Sequence, residues 1–369
     1  MSAMTPLRRN ITLGVVIILI GASVWYLQSI QSRHMPASSS APVAIQNTAS
    51  DDRAAVIAEK AKKYPRASEI TNPSGFINTD AFHIQDLIGK KVILIDFWTY
   101  SCINCQRTMP YVNAWYDAYQ DQGLEIIGVH TPEFQFEHDS NNVKAAMQKF
   151  GIKYPVVLDN NYGTWNAYQN LYWPRKYLID IDGFIVYDHA GEGAYEEAEK
   201  AIQDALKERA QVLGEQANIA SGMANPKNVV DVDAAKVGSP ETYFGSARNQ
   251  NFGNGMQYKA GVQSFALPSA TKENSFYLDG TWNIQKEYAQ NTTPNASITY
   301  TYRAKHVYFV AGATAPTAVQ VYRDGVFVKT ITVQANQLYS LIDEEQSGAH
   351  TLKLNIETPG LQAFTFTFG

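Results

Sequence analysis

At 369 residues and a formal charge of −5, the chain is too long for one compact domain and suggests two folded units. No basic run extends beyond Arg8 and Arg9, so the electrostatic footprint of a nucleic-acid binder is missing and that class is set aside.

From Ile11 to Leu27 there is no charged residue; Ile, Val and Leu dominate, and Trp25 and Tyr26 stand near the end of the run. This predicts one transmembrane helix with interfacial aromatics. Arg8 and Arg9 precede it and only Arg33 follows closely, so the positive-inside bias puts residues 1–10 in the cytoplasm and the remainder outside. That expectation describes a single-pass protein of a bacterial inner membrane, its folded parts in the periplasm or extracytoplasmic space. A cleaved signal peptide, with Ile20-Gly21-Ala22 as a small-residue site, is the competing reading. Residues 28–66, rich in Ser, Ala, Pro and Gln at their start, read as a linker with a short helix over Ala54–Ala61.

Residues 67–212 alternate strand and helix patterns: strands at Val92–Trp98, Leu124–Val129, Pro155–Leu158, Tyr177–Ile181 and Phe184–His189, with helices from about Cys102, at Asn142–Phe150 and from about Tyr195. Such alternation predicts an α/β domain. Residues 213–237 weaken into Gly, Ala, Asn and one Pro and read as a linker. Beyond them, residues 238–369 hold short runs of Val, Thr, Tyr and Phe, with Asp324-Gly325 as a hairpin signal between two of them. An all-β sandwich or jelly roll is expected there.

Only two cysteines occur, Cys102 and Cys105, separated by Ile103 and Asn104 and following an apolar strand. A cysteine at a helix N-terminus is favoured as thiolate by the positive end of the helix dipole. Cys102 is therefore the expected nucleophile toward a substrate disulfide, and Cys105, one turn deeper, the residue that resolves the mixed disulfide. A structural disulfide is the bland alternative, but so short a loop makes a poor staple. Tetrahedral zinc would need two further ligands, and His130 and His138 show no ligand spacing; neither metal nor cofactor is expected.

Ile95-Asp96-Phe97-Trp98 followed by Cys102-Ile103-Asn104-Cys105, with Pro110 downstream, resembles the active-site segment of the thioredoxin fold. Trp173-Pro174 resembles that family's cis-proline, which lies beside the disulfide. Within the family the chain is similar to the extracytoplasmic TlpA and ResA-like branch, and above all to the C-terminal region of DipZ-type proteins, where a β module also follows. The resemblance implies that Asp96 is a buried carboxylate moving a proton for Cys105, that Pro174 helps present the substrate, and that Glu133 is an acidic residue near the disulfide. Trp98 and Trp173 are the aromatics it suggests for substrate contact. It implies protein disulfides as substrates and a DsbD- or CcdA-like membrane protein as electron donor. Ser101, Asn104 and Thr108 depart from the pattern, which leaves the reduction potential open.

Leu278-Asp279-Gly280-Thr281-Trp282 resembles a stretch of the carbohydrate-binding-like module of DipZ-type proteins. Trp282, Tyr288, Tyr300, Tyr302 and Tyr322 would then grip a glycan or peptidoglycan, although aromatics also fill β cores. Two other functions compete with the disulfide reductase. Thr99, three residues before Cys102, also occurs in peroxiredoxin-like peroxide reductases, although Ile95 stands where their proline belongs. A non-catalytic envelope-binding adaptor is the third reading.

Overall fold

The computed structural model describes residues 49–216, 219, 222–227, 229–230 and 236–369. The expected membrane helix at Ile11–Leu27 lies outside these residues. Among those described, no helix is long and apolar enough to cross a membrane. The chain divides at Lys63 into two units, and helix α1 (Ala49–Lys63), longer at both ends than expected, belongs to the first.

In the second unit, β1 (Gly75–Ile77), β2 (Val92–Trp98), β3 (Leu124–His130), β4 (Val156–Leu158), β5 (Arg175–Ile179) and β6 (Ile185–Ala190) form one sheet in the order β1-β4-β3-β2-β5-β6. β2, β3 and β4 run parallel, and the other pairings are antiparallel. The accompanying helices are α2 (Ile84–Leu87), α3 (Ile103–Tyr119), α4 (Ser140–Phe150), α5 (Gly163–Ala167) and α6 (Tyr195–Leu213). The sequence patterns missed β1, α2 and α5, each too short to show a period.

Every residue of β2 is buried, as a sheet covered on both faces requires. Val92, Leu94 and Trp98 pack with Val112 and Trp115 of α3 and Ile202 of α6, whereas Ile93, Ile95 and Phe97 face Trp165, Tyr168 and Tyr177. The two-residue period therefore turns Asp96 toward α3. Pro110 lies inside α3; lacking an N–H, it leaves the Gln106 carbonyl without its usual partner and bends the helix.

The all-β half is built from β7 (Thr242–Tyr243), β8 (Gly261–Phe265), β9 (Phe276–Ile284), β10 (Ala289–Asn291), β11 (Ala296–Ala313), β12 (Thr317–Arg323), β13 (Val326–Val333), β14 (Gln337–Ile356) and β15 (Leu361–Phe368). Asp324 and Gly325 both have positive φ, 52° and 79°, as a tight β12–β13 hairpin demands. The expected jelly roll of two sheets is corrected here. All these strands join one hydrogen-bonded sheet, in which β9, β11, β15 and β10 close a small barrel and the rest lie outside it. The cause is strand length. β11 runs 18 residues through a point where two strands were expected, bending at register shifts near Ala304 and Val307 instead of breaking. Its first half pairs with β9 and its second with β15.

Candidate active site

Cys102 caps the N-terminus of α3 with extended backbone angles, and its carbonyl accepts the Gln106 N–H at 3.0 Å. It is half-buried, while Cys105 one turn on is 1% exposed; both are free thiols. Burial pushes the Cys105 thiol well above its ordinary range, and the hydrogen bond and charge of Cys102, then the charge of Asp96, push it further. A reachable sulfur at a helix N-terminus thus sits over an unreachable one that holds its proton.

Beneath Cys105 lies a buried polar group. Asp96 is 2% exposed, and desolvation lifts its carboxyl to about 6 in spite of the Lys176 ammonium. Lys176 is the cross-strand partner of Asp96 on β5 and is wholly buried. Burial lowers its ammonium, while Asp96, Cys105 and Glu192 raise it. The Tyr154 hydroxyl, held far above its ordinary value by burial and by the charges of Asp96 and Cys105, completes the group. At Gly128 a Cβ would lie 2.9 Å from Trp98 Nε1 and 3.1 Å from Tyr154 Cε2, so glycine is what lets these rings close over Asp96.

The Trp173–Pro174 peptide bond is cis. The Pro174 carbonyl accepts the Gly191 N–H at 2.7 Å, and the Gly191 carbonyl accepts Lys176 Nζ at 3.4 Å. Arg107, on α3, binds both oxygens of Glu192 at 2.7 Å and Asn104 Oδ1 at 2.7 Å. The Gly191–Gly193 loop is thereby fixed to the helix that carries the cysteines. Trp98 is 1% exposed and stacks edge-on with His130, so it underlies the site and offers no surface to a substrate. Trp173 is half-buried, donating to the Thr131 carbonyl at 3.1 Å and packing on Trp165 at 4.2 Å. The open apolar side chains beside Pro174 are Leu171 and Tyr172, 70% and 52% exposed.

Glu133 does not turn to the cysteines. Its carboxylate accepts the Tyr243 hydroxyl at 2.8 Å and Arg248 Nη1 at 2.7 Å from the all-β half. The acidic residue that reaches the redox loop is Glu137, wholly buried and bonded to both the N–H and the hydroxyl of Ser101. Trp282 is also corrected. With 0% exposure, in one core with Tyr300 and Tyr302 and with its Nε1 bound to the Asp279 carbonyl at 2.9 Å, it has no free face for a sugar. Lys176, Tyr154 and Glu137 were not found from sequence. Lys176 had a usable signal, since it shares strand parity with buried Leu178.

Residues 66–188 match the AhpC/TSA family and residues 239–369 the family described as thioredoxin like C-terminal domain. Protein DipZ of Mycobacterium tuberculosis (strain CDC 1551 / Oshkosh) is 38% identical over 305 residues, which cover 82% of this chain and 43% of DipZ; the chain spans less than half the length of that relative. Thiol-disulfide oxidoreductase YkuV of Bacillus subtilis (strain 168) is 33% identical over 140 residues, 38% of this chain and 93% of YkuV. Thiol-disulfide oxidoreductase ResA of Bacillus thuringiensis subsp. konkukian (strain 97-27) is 29% identical over 131 residues, 33% of this chain and 73% of ResA. With a half-buried and a buried cysteine at one helix start, a carboxylate behind them, and a relative matched over nearly its whole length, the chain belongs to the thioredoxin-like thiol-disulfide oxidoreductases.

Proposed function

We propose that this protein exchanges disulfides with other proteins on the extracytoplasmic face of a bacterial inner membrane, anchored by Ile11–Leu27. The observation that carries the chemistry is the asymmetry of the pair, Cys102 reachable and Cys105 buried against Asp96. Cys102 as thiolate attacks one sulfur of a substrate disulfide, and the departing substrate sulfur takes up a proton. Asp96 then accepts the Cys105 proton, and the Cys105 thiolate attacks the Cys102 sulfur. The second substrate thiol leaves, the Cys102–Cys105 disulfide forms, and two electrons have passed to the substrate. Lys176 keeps Asp96 able to ionise near neutrality, and Pro174 with the Gly191–Gly193 loop lines the approach to Cys102. The location rests on the apolar run and its flanking arginines. Each turnover consumes a dithiol, so a donor is needed; the DipZ-type resemblance suggests a DsbD- or CcdA-like membrane protein.

Insulin reduction with a dithiol donor tests the mechanism. Activity should vanish in Cys102→Ser, and Cys105→Ala should accumulate mixed disulfides with its protein substrates in cells. Undiminished turnover by Cys102→Ser would sink the scheme. The AhpC/TSA match keeps a peroxide-reducing reading in view, but Thr99 is wholly buried, with its hydroxyl 3.5 Å from His130 Nε2, and offers nothing to a peroxide at Cys102. Peroxide consumption at rates rivalling insulin reduction would favour that reading instead.

A further inference from the structure

Glu137 is a fully buried carboxylate one residue removed in contact from the nucleophile. Its Oε1 accepts the Ser101 hydroxyl at 2.7 Å and the Ser101 N–H at 3.3 Å, and its Oε2 accepts the N–H groups of Glu133 at 2.6 Å and Phe134 at 3.0 Å. Three of these four partners are backbone N–H groups, which can only donate. Each oxygen receives at least one backbone N–H, surroundings that favour the carboxylate over the acid, and the Ser101 hydroxyl is the one partner able to reverse its role. Burial, with the charge of Glu133, raises its carboxyl above the ordinary range, and hydrogen bonds from Thr99, Ser101 and Phe134 hold that rise down.

The turn that carries this anion, Gln135–His138, is wedged between the redox loop and the all-β half. Phe134 and Phe136 lie 5.2 and 4.8 Å from Phe364, in a cluster with Val310, Tyr243, Tyr288 and Leu338. The Gln135 N–H is bound by Glu287 at 2.8 Å. A second contact reaches the same loop directly, since the Tyr100 hydroxyl donates to the Asn336 carbonyl at 3.4 Å and the Tyr100 ring packs on Phe136. Two of the three residues preceding Cys102 are therefore positioned, directly or through Glu137, by a part of the chain that begins more than 130 positions later.

We propose that Glu137 is a positioning residue for Cys102, and that the all-β half, by holding the Phe134–His138 turn, sets the redox balance of the Cys102–Cys105 couple. A fixed anion bonded to the residue before Cys102 opposes the negative charge that builds on the couple when its disulfide is reduced, so the native contact makes the couple more reducing. This rests on the exchange chemistry proposed above and adds its control.

The test is equilibration of the full chain with reduced and oxidised glutathione. Glu137→Gln keeps the shape and removes the charge; its dithiol–disulfide equilibrium should shift about tenfold toward the dithiol, about 30 mV in potential. Phe364→Ala, on the all-β side of the contact, should shift it in the same direction. Ile356→Val, in the core of the same half and outside the contact cluster, should leave it at the wild-type value. If Glu137→Gln does not fold, Ser101→Ala decides: it strips one donor from the anion, leaves the charge less compensated, and should move the equilibrium toward the disulfide. A folded Glu137→Gln or Ser101→Ala with the wild-type constant overturns the role of Glu137. A Phe364→Ala indistinguishable from Ile356→Val overturns the role of the all-β half. Were the wild-type pair not to titrate with glutathione at all, the failure would lie with the proposed function.

Discussion

Replacing Asp96 by Asn should make the protein more stable at neutral pH while crippling the resolving step. Burial raises the Asp96 carboxyl from its ordinary 3.8 to about 6. A folded-state value above the unfolded one means that the folded protein holds the proton more tightly. The resulting stabilisation is complete below 3.8 and is lost as pH rises through about 6. Above that range the buried carboxylate costs about 3 kcal/mol, from a shift of roughly two units at about 1.4 kcal/mol each. The attraction of Lys176 is already contained in that shift. Asparagine keeps the shape and has no proton to lose. Urea unfolding of reduced wild type and Asp96→Asn should therefore give a stability difference that grows from near zero at about pH 4 to about 3 kcal/mol at about pH 8. The difference curve is the quantity to follow. His130, buried and lowered to about 3, removes stability as pH falls from its unfolded value toward 3, and that opposing trend cancels between the two proteins. A flat difference, or an Asp96→Asn protein no more stable than wild type at pH 8, would refute the desolvated-carboxyl argument.

Lys176→Met removes the charge that holds the Asp96 carboxyl down against burial, so the acid limb of insulin reduction should move to higher pH. An unmoved limb in a folded protein would mean that Asp96 does not feel Lys176. Trp282→Ala should cost about 3–5 kcal/mol in chemical unfolding, because the ring is wholly inside the barrel core; native stability in this variant would restore a surface role. Arg107→Ala frees Glu192 and the Gly191–Gly193 loop, so KM for insulin should rise several-fold with kcat little changed. Equal KM values would show that the loop does not meet the substrate.

The chemistry was legible where it was local. Asp96, Cys102 and Cys105 fall within one strand and the following helix turn, and the alternation of Val92, Leu94, Asp96 and Trp98 already puts the carboxylate on the cysteine face. The Asp324-Gly325 hairpin was readable for the same reason, since two adjacent residues carry the whole conformational demand. Sheet closure was not. Whether β11 ends at Arg303 or bends and continues depends on partners β14 and β15, supplied by residues 337–368, and nothing within the run itself announces them.

Glu133 and Glu137 show what local reading lacks. Both are acidic residues in one aromatic-rich loop, and their spacing gives no reason to prefer either as the neighbour of the redox pair. What separates them is the all-β half. Tyr243 and Arg248 take the carboxylate of Glu133 outward, and Phe364 pins Phe134 and Phe136 so that the turn presents Glu137 to Ser101. The residue that faces the nucleophile is thus selected by contacts more than 100 positions away in sequence. A thioredoxin-like half without that packing would keep Cys102, Cys105, Asp96 and Lys176 but lose the contact that decides where the second carboxylate points.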